Sequence, residues 1–469
     1  MSNNDRWESL PVICKGGLDL QTDALTLGTN TPGAAKILQN YEPALEGGYK
    51  RILGYSKWDS ATVPGDADTA ILGVKAALGG VFAVRYTTTG TDYAWYFSSG
   101  SGWGSKLNGA ARTGAVTKAR MINYSITVPV VVLTDGANPA AKYDGATYTL
   151  LNGASAPTAP KYAELHLARL VLAPASNVSS IILSAPNADT TFSGSGAIEI
   201  NVGDVVTGLK RFRDTLYIFC TNSIFKLTGT SSSDFVITPV TRSIGCVSGD
   251  TIQEVGGDVY FLAPDGIRSI AATERIGDVE LAVQSQAIQP IIRDLVGVFN
   301  QNAYSSCVIR AKSQYRMFIY ESGTPKADAF GILGKRDTES NFEWATLRGI
   351  QAFCADSEYN DDDEVVVIGD VTNGYVYRLE RGNDFDGTAI YSVYRSPSIT
   401  FADATLRKVM HKIDLYTQVS GNVNFDLNVL FDFEGMGIFQ PPAIPFTQTG
   451  TVALYGVAVY GTDAYSGLT

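Results

Sequence analysis

The sequence of 469 residues lacks most of the features by which catalytic and metal sites are recognised. It contains two histidines, His166 and His411, and neither has a neighbour at the spacing of a metal ligand. A P-loop, a dinucleotide-binding fingerprint, a nucleophile elbow and a zinc pattern are all missing. We therefore expect no catalytic residue, no cofactor and no metal ion, which predicts that the protein is not an enzyme.

Cysteine is also scarce, and the apolar runs are short. Five cysteines without a CxxC pair predict reduced, buried thiols rather than a disulfide framework: Cys14, Cys220, Cys246, Cys307 and Cys354. No apolar run approaches the ~18 residues of a membrane helix, and the first ten residues do not resemble a secretory signal. We expect a chain without a membrane span that folds in a reducing cytoplasm.

Basic residues are fewer than acidic ones. The 36 Lys and Arg residues stand against 47 Asp and Glu residues, which gives a net charge of −11. Affinity for nucleic acid comes largely from cations that neutralise phosphates, so this balance argues against a protein that grips DNA. It is compatible with a surface that DNA passes without adhering.

A short β-hairpin pattern recurs through the chain and is clearest at residues 214–229. There, apolar runs at 216–219 and 224–227 flank the polar turn Thr221-Asn222-Ser223. Asp265 with Gly266, and Asn373 with Gly374, are predicted at two further turns. The seven copies, whose first strands begin roughly 48 residues apart on average, lie at 81–97, 130–143, 170–183, 214–229, 258–270, 316–333 and 364–377.

A repeat of this length built from short strands is typical of the blades of a β-propeller. The predicted fold is all-β, with a propeller of six or seven blades over residues 61–380. A large β-sandwich with irregular hairpins is the alternative, although a sandwich normally ends sooner than this repeat does.

Residues 381–469 are predicted to form a smaller antiparallel β platform domain. Segments 406–419 and 423–434 should pair about a turn at 420–422. The second segment alternates apolar with polar side chains, which predicts one buried face and one acidic face. No closing strand is evident after it, which leaves open a continuation beyond Thr469.

Two further segments do not follow the repeat. Residues 285–296 predict a helix with Ser285 as its N-cap, although Pro290 favours a start at Gln289. Residues 1–60 are predicted to form an N-terminal arm and ring-closing segment. An arm between subunits and a strand that closes the propeller both remain open.

The N-terminal segment resembles the tail nozzle proteins of short-tailed phages, a group related to the packaged-DNA stabilisation and tail tubular B proteins. The resemblance lies in GGLDL at 16–20, NYE at 40–42 and GGYKRILGY at 47–55. The segments TDGANPAAKYDG at 134–145 and DVYFLAPDGIRSI at 258–270 are similar to hairpins of the same group.

The resemblance implies a structural virion protein in the phage tail, synthesised in the cytoplasm of a bacterial host. It implies a homo-hexameric ring below the head-to-tail adaptor protein, with a tail fibre or tailspike protein as a further partner. The ring would retain packaged double-stranded DNA and conduct it at ejection without sequence-specific binding. A propeller carbohydrate-active enzyme and a generic propeller interaction scaffold are the alternatives.

The acidic face of the C-terminal hairpin supplies the candidate channel-lining residues Asp426, Asp432 and Glu434. In a six-fold ring these carboxylates would repel DNA phosphates. The alternative is that Lys408 and Lys412 pair with them across the hairpin.

Overall fold

A computed structural model describes residues 10–44, 47–109, 112–270, 283–298, 300–336, 342–360, 362–401, 409–418, 422–431 and 439–449. The chain divides into two compact units, Met1–Ile399 and Thr400–Thr469. No helix among these residues is long and apolar enough to cross a membrane.

The N-terminal segment of the first unit contributes one helix and four short strands. They are α1 (Ala24–Asn30), β1 (Ile37–Gln39), β2 (Tyr41–Pro43), β3 (Tyr49–Arg51) and β4 (Tyr55–Lys57). Asp23 caps the helix, because its carboxylate accepts hydrogen bonds from the backbone N–H groups of Leu25 and Thr26.

Seven antiparallel sheets follow along the chain. Blades 1 to 4 each have four strands. Blade 1 consists of β5 (Ile71–Ala77), β6 (Gly80–Thr88), β7 (Asp92–Ser98) and β8 (Arg112–Thr113), and blade 2 of β9 (Arg120–Ser125), β10 (Pro129–Thr134), β11 (Ala141–Tyr143) and β12 (Tyr148–Leu150). Blade 3 consists of β13 (Pro160–His166), β14 (Arg169–Pro174), β15 (Ser180–Leu183) and β16 (Ile198–Asn201), and blade 4 of β17 (Val206–Phe212), β18 (Thr215–Cys220), β19 (Ile224–Thr228) and β20 (Val236–Thr241).

Blades 5 to 7 complete the series. Blade 5 consists of β21 (Gln253–Val255), β22 (Asp258–Ala263) and β23 (Gly266–Ser269). Blade 6 begins with β24 (Tyr304–Ile309), β25 (Gln314–Ile319), β26 (Phe330–Arg336) and β27 (Phe342–Arg348), and blade 7 with β28 (Cys354–Asn360), β29 (Asp363–Gly369) and β30 (Val376–Leu379). Most of the first strands contact first strands of neighbouring blades, as the innermost strands of a propeller do. The first unit is therefore a seven-bladed β-propeller.

The seven hairpins predicted from the repeat are the middle strand pairs of the seven blades. All seven are antiparallel and lie in separate sheets: β6–β7, β10–β11, β14–β15, β18–β19, β22–β23, β25–β26 and β29–β30. Asp265 lies in the turn before β23, and Asn373 and Gly374 lie between β29 and β30. The propeller prediction is confirmed, and the sandwich alternative is wrong.

The ring is closed by strands from both ends of the first unit. β4 pairs antiparallel with β30, with Tyr55 opposite Leu379. The ring of Tyr55 stacks on Phe385 at a centroid distance of 5.0 Å. β1 similarly extends blade 6, parallel to β27.

Three more strands, β31 (Asp384–Phe385), β32 (Thr388–Ala389) and β33 (Val393–Arg395), add to blades 6 and 7. The boundary between the units consequently lies between Ile399 and Thr400 rather than between residues 380 and 381.

The apolar core is divided among the blades. One cluster joins Phe82 and Trp95 of blade 1 to Val131 and Leu133 of blade 2, and comparable clusters lie between other neighbouring blades. The predicted helix is observed as α2 (Gln289–Val298), preceded by a 3₁₀ turn at Gln286–Ile288. The helix packs into the largest cluster through Ile292 and Leu295, and the 3₁₀ turn does so through Ile288.

The described residues of the second unit contain one antiparallel pair, β34 (Asn422–Leu427) and β35 (Ile444–Thr449). The predicted pairing with 406–419 is corrected, because the described part of that segment, 409–418, contains no strand. β34 instead pairs with β35. Phe425 of β34 lies opposite Phe446 of β35, and the centroids of their stacked rings are 5.2 Å apart. Such cross-strand aromatic pairs stabilise an antiparallel register.

Candidate functional site

The innermost strands of three blades are irregular near their beginnings. The pairing register shifts at Leu72 in β5, at Lys161 in β13 and at Thr207 in β17. A β-bulge of this kind redirects side chains away from strict alternation. Because the bulges fall at equivalent places in their blades, they shape one end of the propeller axis.

An ion pair crosses the axis at this end. Arg120 begins β9 in blade 2, whereas Asp250 lies in a 3₁₀ turn, Gly249–Thr251, before blade 5. Nε of Arg120 lies 2.7 Å from Oδ1 of Asp250, and Nη2 lies 2.7 Å from Oδ2. Blades 2 and 5 are not neighbours in the ring, so this bidentate pair spans the centre of the propeller.

Lys118 adds a second cation to the same carboxylate. Its Nζ lies 3.5 Å from Oδ2 of Asp250 and donates a hydrogen bond to the carbonyl of Tyr304 in blade 6. The Lys118 side chain is buried, with 3% exposure. The three charged side chains therefore connect blades 2, 5 and 6 at the axis.

Gly249 permits this turn to lie so close to the innermost strands. A Cβ atom there would be 2.3 Å from the carbonyl oxygen of Thr207 and 3.0 Å from the ring of Tyr162. Only glycine fits without a shift of the backbone. The turn and its ion pairs close the axis at this level.

The charge on Asp250 is fixed by its partners. Burial alone would raise the pKa of this carboxyl, but Arg120 and Lys118 lower it to about 2. A general acid in glycoside hydrolysis needs a raised pKa so that it can donate a proton. Asp250 therefore acts as a permanent anion that holds two cations.

A second group of ion pairs joins the innermost strands of blades 1 and 7. Nζ of Lys75 lies 3.1 Å from Oδ1 of Asp356 and 3.2 Å from Oε2 of Glu358. Asp356 also accepts a hydrogen bond from the backbone N–H of Ala76. Burial opposes the charge on Glu358, but Lys75 holds its pKa below the ordinary value. These carboxylates are engaged in ion pairs.

Four of the five cysteines are buried, three of them in strands, and none of the five forms a disulfide. Cys14 is half-buried. Burial raises the pKa of the other four thiols to about 12, so they remain protonated near neutral pH: Cys220, Cys246, Cys307 and Cys354. Within the described residues, no group of three or more potential metal ligands is present.

Only one of the predicted channel-lining residues lies within the described residues. Asp426 is exposed on β34, between the half-buried Phe425 and Leu427. Asp432 and Glu434 lie outside the described residues, as does Lys408. Lys412 pairs with Asp414 at 2.8 Å rather than with Asp426.

Fold and axis together define the class of the first unit, an all-β, seven-bladed propeller whose axis is closed by ion pairs. No family model matches the chain, and no curated protein matches it.

Solved structures are similar to the chain in fold. The extracellular domain of a protein described as a one-component system from B. thetaiotaomicron is 10% identical, with a TM-score of 0.42. The match covers 71% of this chain, which spans 40% of the length of that domain. BBS1N in complex with ARL6DN is 8% identical, with a TM-score of 0.43 and 71% and 99% of the two chains covered. The computationally designed Ika8 protein is 11% identical, with a TM-score of 0.37 and 69% and 99% covered.

Proposed function

We propose that the protein is a structural subunit of the tail nozzle of a short-tailed phage. Six copies form a ring below the head-to-tail adaptor protein, and a tail fibre or tailspike protein is a further partner. The ring retains the packaged double-stranded DNA and conducts it at ejection. The proposal starts from the resemblance of the glycine-rich N-terminal segment and two propeller hairpins to that group.

The main structural support for a ring of subunits is the apolar surface of the second unit. Val409, Tyr416 and Phe439 are 74%, 94% and 89% exposed. Eight further large apolar side chains of this unit are also exposed: Phe401, Met410, Ile413, Leu415, Leu430, Phe431, Ile444 and Phe446. A two-stranded sheet is marginally stable by itself, and extensive apolar exposure is typical of association surfaces. Association of several copies of the chain covers these apolar side chains and adds contacts that stabilise the two-stranded sheet.

The closed propeller axis supports a particular path for DNA. The pairs that Asp250 forms with Arg120 and Lys118 lie across the centre of the propeller. A duplex therefore runs between the subunits of a ring rather than through any one propeller. The net charge of −11 per chain suits such a conduit, because acidic walls repel phosphates.

The ring is tested by the mass and shape of the purified protein. We expect mass photometry to give a hexamer and negative-stain images to show six-fold rings, with the adaptor protein added if required. The double variant Tyr416→Ser with Phe439→Ser should lose the ring, because two exposed aromatic contacts are removed.

The matched control is Tyr391→Ser, which removes an aromatic side chain of the first unit that is 75% exposed. This variant should still form rings. A wild-type chain that stays monomeric at micromolar concentration, with and without the adaptor protein, would contradict the proposal.

A further inference from the structure

Two cations lie against one aromatic ring beside the axis. The guanidinium carbon of Arg120 is 4.8 Å from the centroid of the Tyr162 ring, and Nζ of Lys161 is 5.3 Å from it. Together these distances limit the separation of the two charges to about 10 Å. The β-bulge at Lys161 accounts for its position, because adjacent residues of a regular strand point to opposite faces.

These cations have donors left without an acceptor. Asp250 occupies Nε and Nη2 of Arg120 and leaves Nη1 without a partner among the described residues. Nζ of Lys161 likewise has no hydrogen-bond or ion-pair partner in the described part of the chain. Lys118 is a third cation of this cluster, with its Nζ 3.5 Å from Oδ2 of Asp250.

The charged form of Lys161 is disfavoured in the free protein. Burial and the neighbouring charge of Arg120 lower the pKa of Lys161 below its ordinary value. The Arg120 side chain keeps 15% exposure and Lys161 is half-buried, so a solute can reach both. An anion between them would accept from both free donors and reduce the repulsion.

We propose that this end of the propeller axis binds a small oxyanion, a phosphate or carboxylate group, between Nη1 of Arg120 and Nζ of Lys161. Guanidinium and ammonium groups both donate strong, charge-assisted hydrogen bonds to such oxygens. The ring of Tyr162 holds the two side chains in place. This site, which we call the axial anion site, is independent of the proposed tail function.

Isothermal titration calorimetry with inorganic phosphate, at constant ionic strength, tests the site. The wild-type chain should bind one phosphate saturably, and Lys161→Met should bind it about tenfold more weakly, because a charge-assisted hydrogen bond is lost. Lys210→Met is the matched control, since it removes the charge of another half-buried lysine and should bind as the wild type does. Acetate is titrated in parallel, and binding with the same dependence on Lys161 shows that the site also accepts carboxylates.

A second readout reports on Lys161 directly. The pKa of Lys161, followed by NMR of isotope-labelled lysine, should rise when phosphate is added, because an adjacent anion favours the charged ammonium. The proposal is overturned if phosphate does not bind, if Lys161→Met binds it as tightly as the wild type, or if the pKa of Lys161 does not change.

Discussion

Asp250 is the residue on which the closed axis depends, because the buried Lys118 and the largely buried Arg120 contact its carboxylate. Replacing it with asparagine leaves Lys118 and Arg120 without their counter-ion in a largely dry environment. We expect Asp250→Asn to lower the free energy of unfolding by about 3–5 kcal/mol, the usual cost of breaking a buried ion pair from one side. Urea denaturation monitored by tryptophan fluorescence measures this change.

The control for this prediction is Asp363→Asn. Asp363 also pairs with two arginines, Arg378 and Arg381, but its side chain is 60% exposed. Water screens such a pair, so the loss should be below about 1 kcal/mol. Equal losses in the two variants would mean that the axial cluster is not buried as described.

His166 gives the molecule a specific sensitivity to acid. The side chain is buried with neither ring nitrogen hydrogen-bonded, and burial is the main cause that lowers its pKa from 6.5 to about 4. Between these values the unfolded chain binds a proton that the folded chain does not, so stability falls as the pH drops from 6.5 towards 4.

We expect His166→Leu to remove up to about 3 kcal/mol of this pH-dependent loss. The free energy of unfolding measured at several values between pH 4 and pH 7 checks it. His411→Leu, at an exposed histidine, controls for the substitution itself. Identical profiles for the wild type and His166→Leu would disprove that His166 causes this pH-dependent loss of stability.

At the scale of single elements, the turn between β13 and β14 is strained. Leu167 and Ala168 have φ values of 49° and 52°, in the left-handed region that costs an L-residue roughly 1–2 kcal/mol. This is the geometry of a type I′ hairpin turn, for which Asn-Gly is favoured. Leu167→Asn with Ala168→Gly should therefore raise the free energy of unfolding by about 1–2 kcal/mol.

The turn between β21 and β22 offers the reverse experiment. Gly256 and Gly257 have φ values of 56° and 81°, and a Cβ on Gly257 would meet no other atom within 4 Å. Gly257→Ala should lower the free energy of unfolding by about 1 kcal/mol through backbone strain alone. If both variants shift stability in the same direction, the turns are not of one type.

The separation of paired strands along the chain explains which pairings the sequence could predict. Each middle hairpin was recognisable because its two strands and turn lie within about twenty residues, as β22 and β23 do around Asp265. The partners of β1 and β4 were not recognisable, because those pairings join distant parts of the chain. Thr346, for example, donates to the carbonyl of Leu38 across 308 positions.

The axial ion pairs were missed for a similar reason. Arg120 and Asp250 are 130 positions apart, and neither lies in a recognised motif. The acidic face of β34 was recognisable because alternation is local, and Asp426 is exposed as expected. Its partner strand was predicted wrongly: the pattern indicated 406–419, whereas the partner is β35, which contains Pro445, a residue that normally disfavours a strand.

For the whole molecule, the proposed conduit makes a prediction about Asp426. Six lysines in place of six exposed carboxylates would bind the phosphates of passing DNA. Particles assembled with Asp426→Lys should release their genome more slowly than wild-type particles in a fluorescence ejection assay, with the delay shortened by added salt. Asp294→Lys, which makes the same charge change at an exposed position of α2, is the control. Ejection by the Asp426→Lys particles at the wild-type rate would remove this residue from the conduit.

The closure of blade 7 has a consequence for how the protein is made on the ribosome. β4 pairs with β30, which is translated roughly 320 residues later, and this takes roughly 16–65 s at 5–20 residues per second. During that interval β4 has no partner and the edges of the unfinished ring are unpaired, so nascent chains on one messenger can join to one another. Faithful production therefore depends on the pace of translation and on the spacing of ribosomes as well as on the final fold.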